Sequence, residues 1–541
     1  MRKTIFLLFV ATSFGFSASH KFARDLTAVS ADKQVAIIVR YTSQPGPEHH
    51  ARMAARGGKL NRTLELVNSA AYTLPASALA DLENDPEVEY VTPDRPVAAM
   101  LDYANPAVNA NIARSYGWDG TGVTVAVIDS GIMDSHPDLH NSKGATRVVY
   151  AAAINQCDGN DTWDRYGHGT HVAGILGGNA TESTGSGYTH SFWGIAPNVS
   201  YVNFKVLDRN GAGTDSYVIA AIQQAIALKK TYNIRIINLS IGRQVMESYT
   251  LDPLCQAVEQ AWKAGIVVVV AAGNNGRNNT GGTMGYGTIT SPGNDPYVIT
   301  VGAMKDMKTV TRADDQMASY SSKGPTLFDH FVKPDLVAPG NRIISTEPTA
   351  LGLTNSYPGN IVVDNYYIKN GNSQLSAYYF VLSGTSMATP MVAGAAALLL
   401  QQQPSLTPDQ VKAILMTTAS KNFPVSSVAT DPNTGISYTI YYDMFTVGAG
   451  YLDVWAALSN STAVSATKTA ISPSVVYNQS LQKVVFVTGS NIVWGDTGLA
   501  LNIVWGDTVL LANNIVWGDN IVWGDTTPSG ETAAVAIAGE N

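Results

Sequence analysis

Four near-continuous apolar runs constrain this chain more than anything else in it: residues 123–128 (V-T-V-A-V-I), 201–206, 234–239 and 266–272 (I-V-V-V-V-A-A). A strand with one solvated face alternates polar and apolar side chains, whereas runs of this kind suit parallel strands covered on both faces. Helical stretches lie between and after them, at 171–177, 215–229, 253–264 and 388–402. The alternation predicts an α/β fold, doubly wound, with a mostly parallel sheet flanked by helices and its sites beyond the carboxyl ends of the strands. A chain of 541 residues that is 45% hydrophobic can fill such a core. Its 34 Lys and Arg against 42 Asp and Glu give a net charge of −8, which argues against disorder and against a basic nucleic-acid binder.

The first residues read as an export signal. Arg2 and Lys3 precede an apolar run over residues 4–16, and Ser17 and Ser19 are small residues placed for cleavage after Ser19. A buried N-terminal helix or strand is the alternative. No later run reaches the roughly 18 apolar residues of a membrane-spanning helix, so a secreted protein without a membrane span is expected. The two cysteines, Cys157 and Cys255, rule out a disulfide scaffold; one bridge or two buried thiols both remain open.

Residues 33–98 form a separate small unit. The pattern gives a strand at 35–39, a helix at 48–56 closed by Gly57 and Gly58, two strands within 64–74 turning near Asn68, a helix opened by Pro75, and a strand at 88–91. That β-α-β-β-α-β order is the ferredoxin-like split βαβ arrangement. An independent binding module and a processed pro-segment are the two readings.

Reactive side chains sit where the large sheet would present them. Asp129 follows a strand in V-A-V-I-D-S-G, His168 lies in G-H-G-T-H-V-A-G and Ser386 in S-G-T-S-M-A-T-P, the latter two at helix starts. A serine hydroxyl needs a neighbouring base, imidazole can supply it near neutral pH, and a carboxylate can orient the ring. A helix N-terminus beneath Ser386 adds N–H groups where an oxyanion would develop. Taken singly, Asp129 fits a turn residue. A zinc pair of His168 and His171 would want the H-E-x-x-H glutamate, which is absent, and the G-x-S-x-G elbow is not matched.

In the order Asp, His, Ser, the three motifs resemble the subtilisin-like serine proteases over roughly residues 103–458, about two-thirds of the chain. The resemblance implies Ser386 as nucleophile, His168 as general base and then acid, Asp129 as its orienting carboxylate, and Asn274 of A-A-G-N-N-G as the oxyanion-hole side chain. It makes His171 a packing residue. It also implies protein or peptide substrates held by Ser240, Ile241 and Gly242 through strand addition, with Ala271, Ala272 and Gly273 as the other pocket wall. Thr290 falls where subtilisins commonly have a pocket-floor glycine, so a shallower pocket for smaller apolar residues is expected. No cofactor is required for catalysis. A structural calcium is implied by Asp138 in H-P-D-L, with an ordinary surface aspartate as the alternative and the relatives' ligand loop replaced here by residues 179–191.

The same resemblance makes residues 20–100 an inhibitory propeptide that acts as intramolecular partner, cut between about residues 94 and 109. Residues 1–100 hold 11 Lys and Arg against 10 Asp and Glu, leaving 23 against 32, so the acidity belongs to the mature part. The expected order is a signal peptide over 1–19, propeptide over 20–100, catalytic domain over 101–460 and an extension over 461–541. Four N-I-V-W-G-D copies begin at Asn491, Asn502, Asn514 and Asn520, spaced too unevenly for a regular solenoid. Stacked hairpins, a surface that binds polysaccharide or cell envelope, and an extension removed on maturation are three readings of it. The function expected is a secreted, self-processed serine endopeptidase. A silent adhesin or scaffold is the alternative, disfavoured by an intact Asp, His, Ser and Asn set.

Overall fold

The computed structural model describes residues 21–23, 26, 34–94, 96–99, 107–155, 159–279, 282–309, 312–347, 352–431, 434–460, 469–478, 483–487 and 539–540. The export signal, Cys157 and all four N-I-V-W-G-D copies lie outside them. Two compact units are present, residues 1–63 with 68–93, and residues 64–67 with 94–541.

In the first unit the sheet order is Lys59–Leu64, Ser69–Pro75, Gln34–Tyr41, Val88–Pro93, with helices Pro47–Ala55 and Leu79–Glu83 completing the β-α-β-β-α-β order. Gln34–Tyr41 is central and antiparallel to both neighbours. Ile37, Val39, Met53, Tyr72, Leu74, Leu82 and Val91 fill the core. The second strand starts at Lys59, earlier than the apolar pattern indicates. It is an edge strand, K-L-N-R-T-L, exposed over its first three residues; its charges suit an edge and hide the strand signal. Asn68, at φ 48°, makes the turn into the third strand.

The second unit is built on an eight-stranded sheet in the order Gln316–Met317, Ile299–Lys305, Val267–Ala271, Ile234–Leu239, Thr124–Asp129, Ser200–Lys205, Val148–Ala153, with Leu336–Pro339 also on Ile299–Lys305. All its pairings are parallel except that of the short Gln316–Met317 strand. Every residue of Thr124–Asp129 and Val267–Ala271 is buried, as continuous apolar runs demand. Val148–Ala153 escaped the sequence reading because it is a half-exposed edge with small residues.

Thr124–Asp129 marks the point where strand order reverses. Its neighbours lead through Ser200–Lys205 to one edge and through Ile234–Leu239 to the other. Such a switch point opens a crevice at the carboxyl ends of the strands. Asp129, Ser240 and Asn274 stand at or just past the ends of three of these strands, Thr124–Asp129, Ile234–Leu239 and Val267–Ala271. Cys255, in the Pro253–Lys263 helix, is a free buried thiol that donates to Asn294 Oδ1 at 3.3 Å. Past residue 460, Val475–Asn478 and Lys483–Phe486 pair as a hairpin, and Val475 packs with Val332 and Phe445.

Candidate active site

The base side of the site is held by short hydrogen bonds, and among the described residues Asp129 Oδ2 alone of the Asp129 and Asp164 carboxylate oxygens has no partner. His168 opens the fully buried helix His168–Gly177, and its Nδ1 donates to Asp129 Oδ1 at 2.7 Å, with both side chains removed from solvent. That bond assigns the ring proton to Nδ1 and leaves Nε2 as the basic nitrogen. Ser130 N donates to the same Asp129 oxygen at 2.7 Å. Gly169 lets the helix start this close: a Cβ there would stand 2.2 Å from Gly131 O and 3.1 Å from Asp129 Cβ.

Asp164, four residues before His168, secures this arrangement and was missed in the sequence. Its Oδ1 accepts from Gly167 N at 2.7 Å and Ser130 Oγ at 2.9 Å, and its Oδ2 accepts from Thr170 N and Oγ1, each at 2.8 Å. Ser130 Oγ in turn receives Gly169 N at 2.9 Å, so one buried carboxylate joins the strand that carries Asp129 to the helix that carries His168. Burial raises the pKa of this carboxyl despite those donors. An acidic residue just ahead of an apolar helix is an N-terminal capping signal, and D-R-Y-G-H offered it.

On the other side, Ser386 is the second residue of the helix Thr385–Gln402. Pro390 lies within that helix and lacks the N–H that would bond the carbonyl four residues back, which is that of Ser386. Ser240 Oγ replaces it, donating to Ser386 O at 2.7 Å, and Asn238 Nδ2 donates to Ser240 Oγ at 3.0 Å. The Ser386 hydroxyl donates to Ser240 O at 3.0 Å.

Asn274 Oδ1 accepts from Thr385 N at 2.9 Å and Thr385 Oγ1 at 3.1 Å. Its amide oxygen is thereby occupied, and among the described residues its Nδ2 has no protein acceptor. Gly273 N donates to Thr385 Oγ1 at 3.1 Å, so Thr385, also missed in the sequence, fastens the Asn274 loop to the nucleophile's helix.

The short edge Ile241–Gly242 carries a strand. Ile241–Gly242 pairs antiparallel with Pro96–Ala99, which pairs on its far side with Ala212–Thr214. Asp94 continues the contact, its Oδ1 accepting from Ser216 N at 2.8 Å. Across the site, Thr290 N donates to Ala272 O at 2.9 Å and Thr290 Oγ1 to the same oxygen at 3.2 Å. A Cβ on Gly273, at φ 112°, would meet Thr290 Cγ2 at 2.7 Å, so Thr290 lies directly against the Ala271–Gly273 wall.

Two further residues take other places. His171 Nε2 donates to Phe380 O at 3.1 Å, and burial drives its pKa down to about 3, as a packing residue requires. Asp138 is fully buried rather than superficial: Oδ1 accepts from Glu182 N at 2.9 Å and Oδ2 from Tyr379 Oη at 2.8 Å. Its carbonyl oxygen accepts from Arg147 at 2.8 Å. Each carboxylate oxygen of Asp138 thus accepts from one protein donor. Among the described residues no group of three or more His, Cys, Asp or Glu converges.

A buried Asp–His pair, a serine at a helix N-terminus and an unpaired amide at a sheet switch point together define a serine hydrolase of the triad type. The Subtilase family model matches residues 120–438, and the chain belongs to that family. Serine protease AprX of Bacillus subtilis (strain 168) is 36% identical over 430 residues, covering 77% of this chain and 89% of its own. Subtilisin E of the same strain is 35% identical over 371 residues, covering 68% and 80%. Fervidolysin from Fervidobacterium pennivorans shares the fold, with a TM-score of 0.58 at 22% identity over 83% of this chain and 63% of that one. The chain is a serine-type endopeptidase acting on peptides or proteins, and subtilase catalysis needs no cofactor. Among the described residues no helix is long and apolar enough to cross a membrane.

Proposed function

We propose that this endopeptidase cuts through an acyl-enzyme on Ser386 and is made as a self-inhibited, exported precursor. His168 Nε2 takes the hydroxyl proton as Ser386 Oγ attacks the scissile carbonyl, then returns it to the leaving amine; Asp129 holds the tautomer and stabilises the imidazolium. The oxyanion is received by Asn274 Nδ2 and the Ser386 N–H, and water then releases the acyl group. The 2.7 Å Asp129–His168 bond in a solvent-free setting carries this reading.

The strand Pro96–Ala99 supports a substrate-like role for the end of the pro-segment. It lies antiparallel on Ile241–Gly242, the edge where strand addition would place a peptide, with residues before the cut running toward the nucleophile. The processing cut therefore falls just beyond Ala99, which narrows the sequence-based interval. Slow formation of a mostly parallel, long-range sheet gives a folding template a physical use. Thr290 against Gly273 supports a shallow pocket for smaller apolar residues, and Thr290→Gly is expected to widen acceptance toward Phe and Tyr in a peptide library.

Expressing the full-length chain beside Ser386→Ala and sequencing the mature N-terminus tests the account. Wild type is expected to begin between residues 100 and 107 and the variant to remain uncut; efficient self-cleavage by Ser386→Ala would overturn it. The donor set around Asp138 supports a packing role there, so an unchanged melting curve in chelator is expected, and a lowered one would restore the calcium reading.

A further inference from the structure

The catalytic unit contains a second built site, remote in role from the triad, where a glutamate of the tail is swallowed whole. Glu540 is 4% exposed, although it follows the long extension that bears the repeats. Arg277 donates to Glu540 Oε1 at 2.7 Å, and Lys305 Nζ stands 3.3 Å from Oε2. Ser319 N donates to Oε1 at 3.1 Å, and Ser319 Oγ makes a very short contact to the same oxygen. The backbone of Glu540 is read as well as its side chain: Asn341 Nδ2 donates to Glu540 O and Glu540 N donates to Asn341 Oδ1, both at 2.9 Å.

Each of the pocket's polar groups is itself buried, Arg277 at 9%, Lys305 at 4%, Ser319 at 1% and Asn341 at 6% exposure. Asp431 neutralises Arg277 from the other side at 2.7 Å, and Glu540 is the acidic partner of Lys305 among the described residues. A buried cation left without its anion is strongly destabilising, so this pocket needs a carboxylate to be comfortable. The paired backbone bonds from Asn341 ask in addition that the carboxylate belong to a peptide.

The structure assigns to Arg277, Lys305, Ser319 and Asn341 a carboxylate-binding peptide pocket, and we propose that its occupant is the Gly539–Glu540 segment of this same chain, retained by the mature enzyme. Cutting ahead of residue 539 would then leave Gly539–Glu540 bound to the catalytic unit.

The test compares the full-length chain with Glu540→Gln and with a chain ending at residue 538. Glu540→Gln preserves shape and hydrogen bonding to Asn341 but removes the charge, and its melting temperature is expected to fall on the order of 5 °C. The shortened chain should recover stability when a blocked peptide A-I-A-G-E-N is added at millimolar concentration, and should not respond to the same peptide with glutamine in place of glutamate. Should the shortened chain fail to fold, Glu540→Gln alone decides the matter. The proposal is overturned if Glu540→Gln melts with wild type, if both peptides act alike, or if the mature enzyme has shed Gly539–Glu540.

Discussion

The two halves of the active site are built by opposite means. On the base side, Asp129, Ser130, Asp164 and Thr170 form a network in which the buried Asp164 carboxylate receives donors from both the strand end and the helix start, while Asp129 Oδ2 has no partner among the described residues. On the nucleophile side, groups are deliberately left with capacity: Asn274 has its oxygen bound and, among the described residues, its Nδ2 unpaired, and the Ser386 hydroxyl rests on Ser240 O. Preorganisation holds the base before substrate arrives, whereas the oxyanion donors must wait for a charge that exists only during reaction. Rigidity and vacancy are therefore both structural products, and substitution should separate them.

The largest effect is expected from Ser386→Ala or His168→Ala, about 10⁶-fold in kcat, with Asp129→Asn costing about 10⁴-fold; these sizes are carried over from subtilisin-type and related triads. Folding should survive all three, so circular dichroism must stay unchanged while turnover disappears. Next comes the vacant side. Asn274→Ala should lower kcat about 10²- to 10³-fold, again the size known for such donors in subtilisin, with KM nearly unchanged because the donor binds the transition state alone. A rise in KM equal to the fall in kcat would mean that Asn274 merely positions substrate.

Asp164→Asn sharpens the comparison from the base side. It presents an amide to donors that need an acceptor, so it is expected to cost about 2 kcal/mol of stability and roughly 10-fold in kcat through a loosened Asp129–His168 pair. A stability loss with full activity would show that the network supports the helix and not the base. The smallest effect concerns His171. Its folded pKa is held near 3 by burial, below the ordinary value of 6.5, so as pH falls through 6.5 the unfolded chain binds a proton that the native state refuses. Stability from this group is thus present above pH 6.5 and lost between 6.5 and 3. His171→Gln should flatten the melting temperature over that window, and an unchanged slope would place the titration elsewhere.

Much of this site was legible because its parts obey local rules. Parallel strands buried on both faces leave unbroken runs such as residues 266–272, and Asp129, His168, Ser386 and Asn274 sit in Gly-rich motifs at strand or helix ends. What stayed hidden depends on partners far along the chain. The link from Thr385 to Asn274 spans 111 positions and that from Glu540 to Arg277 spans 263, distances at which spacing carries no signal. The edge strand Lys59–Leu64 was placed late because an exposed edge needs charges where a core strand needs Val and Ile. Asp138 was read by resemblance as a calcium ligand, with a surface aspartate as the alternative, and tertiary packing buries it completely.

Labelling with a serine-directed phosphonate, mapped by mass spectrometry on wild type, His168→Ala and Asn274→Ala, tests the central claim most directly. The account predicts a single adduct on Ser386 in wild type, its near-total loss without the base, and slowed labelling without the oxyanion donor. An adduct on another serine, or undiminished labelling in His168→Ala, would contradict it.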